Sequence, residues 1–378
     1  MKITLVGPVY PYRGGISHFN TMMRDAFLKN GHNMQMVSFR RQYPNWLYPG
    51  QSDKDPSEKP FLVEAKFTLD PFYPWTWYKA ARQIKKFNPD LVVFHWWTTF
   101  WSIPYTWLSW SLRKSDLKVI FLIHNVFPHE TKPYDPYLVR FALSQGQAFV
   151  TLVKSESERL SNLIPDSKII VFSHPHYKVF AESRMDKAKA RAKLKIPVKD
   201  FLILSFGIVR RYKGLRFALE ALEQLKIKGY NPKYIIAGEI WDNPSSYHNY
   251  IDKYQLNEIV RIDNRYIHNE EVPSYYSAAD LFVAPYVGGT QSGAVTIALE
   301  FGLPVITTPN IAAGVGKTYK NQITVVPEGD VDSLASAIIS SMDRPGIINK
   351  TVDQPSVNWE NLVNTVVRTA DELEGQNK

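Results

Sequence analysis

Cysteine is absent from all 378 residues. That excludes a disulfide scaffold, a thiol nucleophile, an iron–sulfur cluster and any zinc site built on thiolate. It suits a reducing compartment without fixing one. Acids are scarce, 36 against 45 Lys plus Arg, which leaves a formal charge of +9. Long apolar runs are missing too. The longest aromatic-aliphatic stretch, Thr98 to Trp110, is broken by Pro104 and falls short of the about 20 residues that a bilayer crossing needs. The chain opens Met-Lys-Ile-Thr-Leu-Val-Gly straight into a strand-like run, with no signal-peptide pattern ahead of it. The expectation is a soluble, cytoplasmic protein. Repeats and low-complexity tracts are absent, and the hydrophobic fraction of 44% excludes a mostly disordered chain.

Several nucleotide and metal motifs fail on context. Gly316-Lys317-Thr318 resembles a phosphate-binding loop, but Ile311 stands where that pattern demands its first glycine. Gly288 and Gly293 have the required gap and are followed by Ala294-Val295 instead of Lys and a hydroxyl residue. Gly7 stands alone before Gly14-Gly15, so no Gly-x-Gly-x-x-Gly follows the first strand, which argues against a nicotinamide or flavin oxidoreductase. Asp330-Val331-Asp332 precedes a predicted helix over 333–342 and reads as cap or first-turn acids before it reads as a metal pair. His174-Pro175-His176 reads as a structural turn. No metal site and no cofactor are expected, and no nucleic-acid motif accompanies the positive charge.

Short apolar runs alternate with longer amphipathic ones. Predicted strands are 3–6, 34–39, 91–94, 119–124, 149–153 and 169–172, then 202–206, 234–237, 260–262, 281–284, 305–307 and 323–326. Most are continuously apolar, as strands covered on both faces are. A helix is predicted from Ser17 to Asn30, with Phe19, Met22, Met23 and Phe27 on one side and Gly31 as its stop. Alternation of this kind predicts parallel sheets with crossover helices, and so many strands predict two doubly wound domains. The expected segments are 1–183, 184–357 and a closing helix in 358–378.

Eight of the ten tryptophans lie at or before Trp110, and the first fifty residues hold six Lys or Arg against one acid. A basic aromatic amino half suits an anionic or amphipathic partner such as a membrane headgroup region; core packing of the rings is the other reading.

Three loops carry chemistry. Gly14-Gly15 follows the first strand and opens a helix, which serves close backbone approach to a ligand or simply a turn. Phe206-Gly-Ile-Val-Arg-Arg-Tyr-Lys-Gly214 follows a predicted first strand of the second domain and puts Arg210 and Lys213 beside a tight strand-to-helix turn. That pair suits a diphosphate, as it would also suit a solvated loop. Pro285-Tyr-Val-Gly-Gly-Thr-Gln-Ser-Gly293 leads to Glu300, two turns into the next helix, an acid placed for ribose hydroxyls or for solvent.

In their order and spacing these pieces resemble the retaining glycosyltransferases of family 4, glycosyl transferase group 1. They are Pro11 to His18, Ile123 to Glu130, Phe206 to Leu215, Ile235 to Glu239, Arg265 to Pro273, Ala278 to Tyr286 and Ser292 to Ile306. The resemblance covers nearly the whole chain. It implies the α/β GT-B fold, two Rossmann-like parallel-sheet domains facing each other across a cleft, with the acceptor on the amino-terminal domain and the nucleotide sugar on the other. It implies that Arg210 and Lys213 hold the donor diphosphate as leaving group. Gly14 and Gly15 would reach its phosphates and sugar, His124 would contact the donor sugar, Glu300 the ribose, and the backbone at Ile267 would line the base. One departure is plain. The family's Glu-x7-Glu element places its first glutamate eight residues before Glu300, where this chain has Ser292; Thr290, Ser292 and the amides of Gly293 and Ala294 then take its place at the sugar.

The function implied is metal-independent transfer of a hexose from a nucleotide-diphosphate donor to an acceptor hydroxyl, with retention of configuration, in cell-surface polysaccharide synthesis. The departing diphosphate takes the acceptor proton, and cationic side chains stabilise it. The expected acceptor is a glycan or lipid-linked glycan, met at the inner face of the plasma membrane through the Trp96–Trp110 region. A non-catalytic sugar-nucleotide-binding protein and a sugar-nucleotide epimerase are the other readings.

Overall fold

The computed structural model describes residues 1–44, 46, 48–58, 60–128, 131–175, 178–315, 317–343 and 358–374. His129, Glu130, His176 and Gly316, all members of motifs quoted above, lie outside the described residues. The chain divides into two compact units: Met1–Pro56 with Pro60–Pro175 and Pro355–Lys378, and Ser57–Lys59 with His176–Gln354.

The first unit is a seven-stranded sheet of β1 (Lys2–Val6), β2 (Asn33–Phe39), β3 (Lys66–Leu69), β4 (Leu91–Trp96), β5 (Lys118–Ile123), β6 (Ala148–Thr151) and β7 (Ile169–Val171), in the order β3-β2-β1-β4-β5-β6-β7. Every pairing is parallel, with Ile3 in register with Met34 on one side and Leu91 on the other. Alternate residues of each strand enter different cores: Leu91 and Val93 pack on one face and Val92 and Phe94 on the other. Burial on both faces is why these strands read as unbroken apolar runs. β3 carries no such run; it is an edge strand whose first residues are exposed, and its register with β2 shifts at Ser38/Phe39.

Helices Gly15–Lys29 and Trp359–Glu374 cover one face. Leu362, Val363, Val366 and Ala370 of the carboxyl-terminal helix are fully buried in that core, so the end of the chain completes the first unit. Phe19, Met23 and Phe27 are buried as the helical spacing predicts. The other face carries Pro74–Phe87, Ser102–Arg113 and Asp135–Leu143 packed side by side.

The second unit is a six-stranded parallel sheet of β8 (Leu202–Phe206), β9 (Lys233–Ala237), β10 (Val260–Asp263), β11 (Leu281–Ala284), β12 (Val305–Thr307) and β13 (Ile323–Val325), in the order β10-β9-β8-β11-β12-β13. Asp330 does cap the helix that follows it: its carboxylate accepts from Ser333 N at 2.9 Å and Ser333 Oγ at 2.6 Å, and these bonds hold its carboxyl below the usual range. Among the described residues no helix is long and apolar enough to cross a membrane.

The tryptophan-rich segment requires a correction. Trp96 and Trp101 are fully buried, and Trp96 Nε1 donates to Val126 O at 3.1 Å. Trp97 is half-buried and donates to Tyr43 Oη at 2.9 Å. The Trp96–Trp101 run is core, because it closes a central strand and enters the packed helix Ser102–Arg113.

Candidate functional site

In both sheets the strand order reverses beside the first strand, between β1 and β4 and between β8 and β11. Loops leaving the carboxyl ends of such neighbours run to opposite faces and open a crevice where ligands of α/β sheets bind. The residues singled out from sequence fall on these loops or on their neighbours at the same sheet edge.

In the second unit β8 ends at Phe206, and Gly207 takes φ +91°, with its amide on Ala237 O at 2.9 Å. A Cβ there would lie 3.2 Å from Lys213 Nζ. Lys213 closes the short turn Arg211–Lys213, and its half-buried ammonium donates to Phe206 O at 3.3 Å and lies 5.6 Å from the Tyr286 ring centroid. Among the described residues no carboxylate pairs with it. Desolvation therefore pulls Lys213 below the ordinary lysine range. Arg210 begins the same turn, half-buried, with its guanidinium 6.0 Å from the Tyr212 ring centroid.

The β11 loop is tied to the β8 loop through backbone: Val287 N donates to Tyr212 O at 2.8 Å. Ser292 is the N-cap of helix Gly293–Glu300, and its Oγ accepts from Val295 N at 3.3 Å. Serine is among the best residues for that position. Its Oγ also lies 3.2 Å from Tyr286 Oη, whose phenol burial pushes up to about 12. Thr290 is buried beside this loop. The first-turn amides of Gly293 and Ala294 have no helical acceptor, as at any helix start. Glu300 closes the helix, half-buried, where an acid opposes the helix dipole, so helix stability does not account for it. Tyr319 Oη donates to Glu300 Oε1 at 2.6 Å and holds the carboxylate in place.

Beyond β9 and β10 the edge continues. Gly238 has φ +149°, and a Cβ on it would lie 2.2 Å from Gly207 O. Ile240 N donates to Asn264 Oδ1 at 2.8 Å. Ile267 follows four residues past β10 with its side chain buried, which leaves only its backbone to meet a ligand. Glu239, a buried acid accepting from Trp241 Nε1 at 2.8 Å, joins this edge without having been singled out.

In the first unit Gly14 is the N-cap of Gly15–Lys29 with φ 111°, a conformation that favours glycine. A Cβ on Gly14 or Gly15 would meet nothing within 4 Å, so the backbone borders open space. His124 directly follows β5; its amide donates to Trp96 O at 2.9 Å, and its ring packs edge-on against Phe19 of the Gly15–Lys29 helix at 4.8 Å. Its Nε2 lies 3.2 Å from Nδ1 of His95. Burial pushes His95 down to about 3; burial, then the neighbouring His95 and His174, push His124 well below its ordinary value. Both rings are neutral at pH 7. His95 escaped sequence reasoning; the signal was a lone titratable residue near the end of the otherwise apolar strand β4. Among the described residues no three His, Asp or Glu gather so as to hold a metal ion.

Two family models match in tandem: Glycosyltransferase Family 4 over residues 13–175 and Glycosyl transferases group 1 over 186–354. The chain belongs to glycosyltransferase family 4. This family 4 chain is 29% identical over 220 residues to the putative teichuronic acid biosynthesis glycosyltransferase TuaC of Bacillus subtilis, across 57% of the chain and 51% of that protein. The match thus spans about half the length of this curated relative. Among solved structures it is similar to sucrose-phosphate synthase from Thermosynechococcus elongatus, with a TM-score of 0.71, 16% identity and complete coverage of both chains. It is also similar to Anabaena Alr3699/HepE in complex with UDP, with a TM-score of 0.67, 14% identity and coverage of 100% of this chain and 99% of that one. At such identities the likeness establishes the GT-B fold.

Gly214 sets the spacing of the β8 and β11 loops. It has φ +64°, and a Cβ on it would lie 1.9 Å from Pro285 O. Gly214→Ala is expected to cost at least about 2 kcal/mol, from strain and a backbone clash together. Urea denaturation should show a lower midpoint at unchanged slope.

Proposed function

We propose that this chain transfers a sugar from a nucleoside-diphosphate donor to an acceptor hydroxyl, with retention of anomeric configuration and without a metal ion. The observation that carries this reading is Lys213: an ammonium that has lost water at the sheet edge without gaining a counter-ion is arranged for an anion from outside. Arg210 on the same turn supplies a second cation, and together they take the role a divalent ion plays in other transferases, stabilising charge as the diphosphate departs. Glu300, fixed by Tyr319, accepts ribose hydroxyls, and the backbone at Ile267 lines the base. Thr290, Ser292 and the amides of Gly293 and Ala294 meet the sugar, and Gly14, Gly15 and His124 complete the donor contacts. The diphosphate oxygen released on the same face takes the acceptor's proton. The UDP bound by the Anabaena neighbour supports a nucleoside diphosphate, and the relative's part in teichuronic acid biosynthesis supports a glycan acceptor in polysaccharide synthesis, with a hexose as the sugar moved.

Calorimetric titration of UDP, GDP and ADP without added metal tests the donor site. One nucleotide should bind, and Arg210→Ala/Lys213→Ala should weaken it by at least about 100-fold, two charge-assisted contacts being lost. Lys213→Met should abolish binding while leaving the melting temperature unchanged or raised, since it removes a desolvated cation. Equal affinity in the double variant would overturn the assignment.

The acceptor reading rests on the face of the first unit that carries Pro74–Phe87, Ser102–Arg113 and Asp135–Leu143. Trp75 (63% exposed) and Tyr78 stand beside exposed Lys79, Arg82, Lys85 and Lys86; Ile103 and Trp110 stand beside Arg113 and Lys114; Tyr137 (78% exposed) and Phe141 flank Arg140. The only acid in the three helices, Asp135, is buried. Aromatic rings interleaved with lysine and arginine, with no exposed acid, fit an anionic bilayer surface carrying a lipid-linked acceptor at the cytoplasmic side. Vesicles containing phosphatidylglycerol should sediment the protein at low salt and release it at high salt. Lys79→Glu/Arg82→Glu/Lys86→Glu should abolish that binding; retention by the triple variant would remove this face from consideration.

A further inference from the structure

The pair His95 and His124 fixes what the second histidine can offer a ligand. Both rings are neutral at pH 7, so two protons are shared among four ring nitrogens. The 3.2 Å contact between His95 Nδ1 and His124 Nε2 is a hydrogen bond only if it holds one proton; two bare nitrogens would repel and two N–H groups would collide. Two arrangements remain. In one, His95 carries its proton on Nδ1 and donates to His124 Nε2, which leaves His124 protonated on Nδ1. In the other, His124 donates from Nε2, and His95 must carry its proton on Nε2.

The surroundings of His95 decide between them. His95 is completely buried, and its Nε2 has no hydrogen-bond partner among the described residues. Gly7, at the end of β1, lies against it: a Cβ there would be 3.1 Å from His95 Cβ. A proton on Nε2 would therefore be a buried orphan donor, whereas a bare Nε2 is an orphan acceptor, and buried orphan donors are the rarer of the two. Asn20 does not rescue the second arrangement: its Nδ2 donates to Pro8 O at 2.7 Å, and its Oδ1, the atom that could accept from a protonated Nε2, makes no hydrogen bond to it, Oδ1 and Nε2 both being buried without a partner among the described residues.

We propose that His95 is a positioning residue that locks His124 in the Nδ1–H tautomer, so that His124 meets a bound ligand as a hydrogen-bond donor to oxygen and not as a general base. His124 Nδ1 has no partner among the described residues, and the residue keeps 8% exposure. The identity of that oxygen, a hydroxyl or phosphate oxygen of the sugar nucleotide, rests on the function proposed above; the tautomer does not.

The test is long-range 1H–15N correlation on histidine-labelled full-length protein at pH 7 without ligand. His124 should show a pyrrole-type Nδ1 and a pyridine-type Nε2, and His95 the same pattern. In His95→Asn, whose amide can donate from nearly the position of Nδ1, the His124 pattern should persist. In His95→Leu both His124 nitrogens should shift towards averaged values as the two tautomers exchange. A pyrrole-type Nε2 on His124 in the wild-type protein overturns the proposal, and so does an unchanged His124 pattern in His95→Leu. Should His95→Leu fail to fold, the wild-type spectrum alone decides the tautomer. If no nucleotide binds in calorimetry while the tautomers are as expected, the donor reading falls and the locked pair stands.

Discussion

Each sheet reverses its strand order beside its first strand, and everything assigned to function hangs from that reversal. Parallel strands joined by right-handed crossovers must send successive helices to one face until the order turns and the next goes to the other. The loops on either side then part, which leaves backbone amides and short side chains around a gap with no chain across it. In the second unit the gap is held by glycines that cannot be replaced without collision: Gly214 lies against Pro285 O and Gly238 against Gly207 O. Side-chain chemistry is added to this frame.

The chemistry follows from which charges are left unanswered. Several cations of the second unit are paired; Arg191 and Lys187 share Asp280, and Arg265 grips Glu271 with two bonds. Among the described residues Lys213 has a carbonyl and an aromatic ring beside it and no carboxylate. Holding it there disfavours the free protein, a cost that an anion arriving beside it would relieve. In the first unit the same edge is electrically quiet: burial keeps both histidines neutral, which suits orienting a sugar better than stabilising a leaving group.

Sequence reading found the central strands because burial on both faces writes an unbroken apolar run, and it could put Arg210, Lys213 and Glu300 near one sheet edge because they sit at short offsets from strand ends. It missed β3, an edge strand whose Lys66-Phe67 start is exposed, because half-covered edges lose that signal. Of the Trp96–Trp110 region it could not tell which rings are exposed: Trp96 and Trp101 look no different in sequence from Trp75 and Trp110, and only packing separates them. Pairwise contacts across elements, such as His95 with His124 or Tyr319 with Glu300, leave no trace in a single sequence, since residues so far apart meet only once the sheet has formed.

The most direct test of the central claim is whether proton uptake accompanies binding. Titration calorimetry of the nucleotide that binds, repeated in buffers of different ionisation enthalpy from neutral pH up to about pH 10, the ordinary lysine range, reports the protons exchanged. Lys213 lies below its ordinary pKa in the free protein, and a diphosphate beside it raises that value. Binding should therefore take up protons in the window between the two, up to one per site, and Lys213→Met should abolish the uptake together with the affinity. Binding with no proton uptake at any pH, or with the same uptake in Lys213→Met, would contradict the claim that this ammonium awaits the diphosphate.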